Sequence, residues 1–105
     1  MIDGPVQMPP AIYLAVKPER TISEEIAPVE LVAKQCLEWS VTYKFAPPPP
    51  GSRFLGCALL WPDRCKVLRI DREDVRLHER AHCAGWPADH PGGAAVERPA
   101  FARER

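Results

Sequence analysis

The chain has 105 residues, with 14 basic and 14 acidic side chains and a formal net charge of zero. That length fits one domain, and a core this small gains from a staple such as a disulfide or a metal. The balanced charge argues against a nucleic-acid binder that works by neutralising phosphates, and no apolar run in the sequence is long enough to span a bilayer. The N-terminus lacks the basic start and apolar middle of a secretory signal. That leaves a cytoplasmic protein, or an exported one whose signal has been removed.

Residues 1–10 read as an irregular arm. Residues 11–16, an apolar run with aromatic and β-branched members between prolines, predict a strand. Ser23, Glu24, Glu25 and Pro28 read as the start of a helix, with acids near its positive end and proline in its first turn. Val29, Val32, Ala33 and Cys36 recur at helical spacing, with Glu30 and Lys34 on another face. This helix is expected to end near Glu38 or Trp39, and the alternating residues 40–45 predict a second strand. The tract from Ala46 through Pro47, Pro48, Pro49 and Pro50 to Gly51 excludes helix and central strand. It reads as a stiff polyproline spacer.

Residues 54–60 and 65–70 predict two strands joined by the turn Trp61-Pro62-Asp63-Arg64, a β-hairpin. Cys57 and Cys65 would then lie opposite each other. With Cys36 and Cys83 they make four cysteines, for which the sequence leaves three pairings open. Asp71 is the expected N-cap of a helix over 72–84, with Glu73 and Asp74 in the first turn and Gly85 as its stop. A loop follows to His90, and residues 94–105 read as a disordered tail. The domain proper is expected over 11–93.

All three histidines fall in one segment, HERAHCAGWPADH, residues 78–90. His78 and His82, four apart on a helix, project from one face. That spacing suits two ligands of a tetrahedral divalent ion, Zn2+ above all. Glu79 sits at the edge of the same face. From there it can take the proton of a metal-activated water attacking a carbonyl and pass it to the leaving amine. The third ligand is expected from the loop beyond Gly85: His90, with Asp89 as the alternative. Whichever is not a ligand can orient an imidazole instead.

The run His78-Glu79-x-x-His82-x-x-Gly85 resembles the zincin metallopeptidases, and its glycine resembles the metzincin branch. That branch places its third ligand three residues after the glycine, where this chain has Ala88. It also carries a later methionine, which is absent here. The longer run through Cys83, Gly85, Trp86, Pro87, Ala88, Asp89 and His90 is similar to small proteobacterial zincin-like proteins with HELAHCNGW followed by Asp-His. The resemblance covers mainly residues 54–93. It implies a small zincin-like α+β domain with a short, mainly antiparallel sheet, a backing helix and an active helix. It also implies a zinc-dependent metallopeptidase that lays an extended peptide or protein substrate along the 54–70 hairpin.

Arg76 and Arg80 depart from the family's uncharged pattern and read as a solvated face. Tyr43 or an arginine is the candidate oxyanion stabiliser. Two other functions compete. Cys57, Cys65, His78 and His82 spell C-x7-C-x12-H-x3-H, the layout of a closed Cys2His2 zinc site, although the cysteine spacing is wide for one. The other competitor is a zincin-like domain that binds metal or a protein partner without hydrolysis. Cys83 reads as a packed or bonded cysteine rather than a nucleophile.

Overall fold

A computed structural model describes residues 6–91 and 94–95. In chain order its elements are β1 (Gln7–Met8), α1 (Ala11–Ala15), β2 (Thr21–Ile26), α2 (Val29–Tyr43), β3 (Gly56–Leu60), β4 (Arg64–Arg69), α3 (Glu73–Cys83) and β5 (Ala94–Ala95). The architecture is α+β. The central sheet has the order β2-β4-β3, with β2 parallel and β3 antiparallel to β4, so it is mixed rather than mainly antiparallel. No described helix is long and apolar enough to cross a membrane.

The β3–β4 hairpin forms as its pattern predicts. Its turn closes with Trp61 N–H donating to the Arg64 carbonyl at 2.8 Å, and the Arg64 guanidinium lies over the Trp61 ring. The register pairs Leu60 with Cys65 and Gly56 with Arg69. Alternation then sorts the side chains by face. Cys57 and Leu68 meet Val32 and Cys36 of α2, while Ala58, Cys65 and Val67 meet Cys83 of α3.

Cys57 therefore stands opposite Leu68, not opposite Cys65. Instead Cys36–Cys57 ties α2 to one face and Cys65–Cys83 ties α3 to the other. Each bond closes a loop of about twenty residues, worth roughly 3 kcal/mol of chain entropy. No cysteine is left free among the described residues, which removes the Cys2His2 site because a disulfide sulfur is no thiolate ligand.

Three other expectations fail for local reasons. Residues 11–15 form a helix, not a strand. Pro10 occupies the N-cap position, and none of α1 is buried, so its apolar residues answer to no sheet. Ser23, Glu24 and Glu25, expected at the entry of a helix, lie instead in β2; an edge strand leaves its acids in water, and Glu24 pairs with Arg69. Residues 40–43 continue α2 rather than forming a strand. Buried Ser40 turns its hydroxyl back to the Leu37 carbonyl at 2.6 Å, and Lys44 at φ 61° ends the helix.

The helix over 72–84 appears as α3, capped at Arg72 rather than Asp71 and without a side-chain cap bond. Asp74 instead accepts from the Val75 N–H at 2.9 Å. Gly85 at φ 109° stops the helix as expected. Gln7 and Met8 pair antiparallel with Ala95 and Ala94, joining the expected arm to the start of the expected tail. The rest of those two segments, residues 1–5 and 96–105, lies outside the described residues.

Candidate metal centre

Helix α3 presents His78 and His82 from adjacent turns, and their rings meet edge to face at 4.9 Å. The left-handed turn at Gly85 reverses the chain beneath them. A second turn, with His90 N–H donating to the Pro87 carbonyl at 3.0 Å, brings His90 back over the same spot. His90 itself has φ 58°. A β-carbon makes that region costly, so the surrounding contacts must hold it there. His78, His82 and His90 each offer a ring nitrogen within 4.8 Å of the others. Of the two candidates for the third position, His90 completes this group, and the exposed Asp89 is no member of it.

The hydrogen bonds set the protonation pattern. His78 Nδ1 lies 2.6 Å from the Gln7 carbonyl, and His82 Nδ1 lies 2.8 Å from the Trp86 carbonyl. A carbonyl only accepts, so both Nδ1 atoms carry the proton and both Nε2 atoms present lone pairs. Those lone pairs converge: His82 Nε2 is 3.3 Å from His78 Nε2 and 3.1 Å from His90 Nε2. Two ligands on a tetrahedral ion with metal–nitrogen bonds of about 2.0–2.1 Å stand about 3.3–3.4 Å apart. The donor set therefore fits a small cation, and nothing in the triangle except a proton or a cation relieves the lone-pair repulsion.

Burial favours the neutral, ligating imidazoles. It lowers His78, against the opposing pull of the Gln7 carbonyl, and lowers His82 to about 4. Burial also lowers His90, which neighbouring Asp89 partly offsets. Trp86, 1% exposed, stacks on the His82 ring at 4.9 Å and 20° and meets His78 and His90 by its edge. Its indole N–H donates to the Pro91 carbonyl at 2.9 Å, which ties down the chain after His90.

Glu79 points elsewhere. Its side chain is buried, 5% exposed, and no hydrogen bond or ion pair reaches its carboxyl among the described residues. Burial alone pushes it up to about 8. The carboxyl lies over Gly56 of β3, where a β-carbon built on that glycine would stand 3.1 Å from Oε2.

Other residues that the sequence suggested do not converge here. Tyr43 ends α2 on the opposite side of the sheet and is half exposed, so it is no oxyanion donor for this centre. Arg76 and Arg80 are half-buried rather than fully solvated; with Ile22, Glu24 and Val67 they line a shallow hollow over β2, and Arg76 pairs with Glu73.

Sequence reasoning missed Gln7, Trp86 and Gly56. Gln7 acts through a backbone carbonyl, which no residue type announces. Trp86 was legible only as the loop residue after the helix stop. A glycine inside a strand pattern, as at Gly56, does signal a close approach. Comparison with family models, with curated proteins and with solved structures finds no match to this chain.

Proposed function

We propose that the protein is a zinc-dependent hydrolase of the zincin type that cleaves peptide bonds. The observation that carries this reading is the convergence of three imidazole Nε2 atoms, two of their separations at tetrahedral ligand spacing, with a buried carboxyl on the residue after the first histidine that has no partner among the described residues. Three neutral imidazoles suit zinc and leave a fourth position for water or substrate. When bound, zinc would polarise a carbonyl and lower the pKa of water.

The chain's own groups supply the rest. The Gln7 and Trp86 carbonyls hold two ligand rings in the tautomer that frees Nε2. Glu79, once ionised, takes the proton of the attacking water and returns it to the leaving amine; burial holds that ionisation back to about pH 8. Strand β3 is an outer strand of the sheet and passes α3 at Gly56, so an extended peptide can add to its open edge. Two buried disulfides support an oxidising, exported setting.

A second reading, metal binding without turnover, is favoured by one observation: the Glu79 carboxyl rests on Gly56 rather than in the histidine group. One experiment separates the two. The zinc-loaded protein and its Glu79→Gln variant are assayed on a fluorogenic peptide library, with zinc content measured for both. Hydrolysis lost with zinc retained supports the hydrolase; hydrolysis that survives the substitution, or is absent from the native protein, sinks it.

A further inference from the structure

Strand β3 places Gly56 directly beneath α3, opposite Arg69 of β4. A β-carbon there would stand 2.9 Å from Val75 Cγ1, 3.1 Å from Glu79 Oε2 and 3.2 Å from Arg69 Cβ. Three elements thus meet in a space sized for a single hydrogen. Two of the three neighbours cannot yield. Val75 is buried and β-branched in the first turn of α3, with one favoured rotamer, and Arg69 Cβ is fixed to its strand. The far end of α3 is fixed to the sheet by the Cys65–Cys83 bond. The group with freedom to move is the Glu79 carboxyl, at the end of a flexible side chain.

We infer that Gly56 is a positioning residue for Glu79: its bare Cα is the seat that holds the carboxyl on the inner side of the edge strand. This deepens the hydrolase reading and rests on Glu79 as its base. The seat also couples two parts of the mechanism. Gly56 opens the strand on which an extended peptide would lie, so the same backbone that receives the substrate sets the reach of the base. A larger residue at this position meets the carboxyl, and zinc content reads whether His78, the residue before Glu79 on α3, has moved with it.

The test compares the native protein with Gly56→Ala, using zinc content, hydrolysis of a fluorogenic peptide library and carbon NMR of protein labelled at glutamate carboxyls. Glu79→Gln identifies the Glu79 signal by its loss. The expected result is that Gly56→Ala keeps its zinc and moves the Glu79 carboxyl signal. Its kcat falls about a hundredfold with KM within about twofold, as suits a misplaced catalytic group. A folded Gly56→Ala protein whose Glu79 signal stays put overturns the inference, whatever its activity. If the native protein hydrolyses nothing while the signal still moves, the hydrolase reading fails and the seat stands. Should Gly56→Ala fail to fold, Gly56→Ala/Val75→Ala removes the tightest obstacle, and the same readouts decide.

Discussion

The two faces of the central sheet are built from the same two strands and do opposite things. On the α2 face, Val32, Cys36, Cys57 and Leu68 close an apolar core, flanked by Trp39, Phe45 and Phe54. On the α3 face the apolar cluster shrinks to Cys65, Val67 and Cys83, and buried Glu79 and Arg69 take up space beside it. Burying ionisable groups costs stability, so the second face needs support from elsewhere. The Cys65–Cys83 bond gives it, and it lies next to His82 in the chain. One face stabilises the fold, and the other spends stability on placing polar groups.

That contrast yields predictions that break or sharpen it. The largest concerns the ligands. His82→Ala removes the histidine common to both close nitrogen contacts, and metal affinity should fall by more than the roughly 10–100-fold lost with an outer partner. Elemental analysis after dialysis reads this directly, and a variant that keeps a full equivalent of metal would contradict the triad.

The disulfides come next. Cys36→Ser/Cys57→Ser should cost about 3 kcal/mol in denaturant unfolding yet leave metal affinity nearly unchanged. Cys65→Ser/Cys83→Ser should cost a similar amount and also weaken metal binding, because it frees the end of α3 that carries His82. Equal effects of the two pairs on metal affinity would erase the distinction between the faces.

A smaller effect is expected with pH in the metal-free protein. His82 binds its proton below about 4 when folded and below 6.5 when unfolded, so stability rises with pH between those values. His78 and His90, also lowered, act in the same direction. Glu79 does the reverse. Folded, it keeps its proton to about 8, whereas the unfolded chain releases it at 4.5, so stability falls as pH rises through that range. The unfolding free energy should therefore peak near pH 6.5 and decline by about 2 kcal/mol toward pH 8. Glu79→Gln should flatten the decline on the alkaline side; a decline that persists would place its origin elsewhere.

The smallest concerns Trp86→Phe, which keeps an aromatic ring beside His82 but drops the bond to the Pro91 carbonyl. A loss of about 1 kcal/mol, read as a few-fold weaker metal binding by competition titration, is expected.

What the sequence determined by itself is what local spacing encodes. The pair His78 and His82 lies four apart, the hairpin follows from two alternating runs around a turn, and Gly85 stops α3 because only a residue tolerant of positive φ fits there. The convergence of His90 rather than Asp89 was left open, because it depends on a left-handed turn at a residue whose type does not require one. The parallel partner of β2 was not legible at all: Ser23, Glu24, Glu25 and Pro28 look like a charged helix start until the neighbouring β4 supplies a ladder. Likewise the cysteine pairing followed from which face each strand residue took, and that depended on the register of Gly56 with Arg69. The histidine spacing is local and readable, and His90 joins the pair through a turn whose handedness its residue type does not announce; the contact of Glu79 with Gly56 and the disulfides depend on distant segments meeting, which only the packed tertiary structure decides.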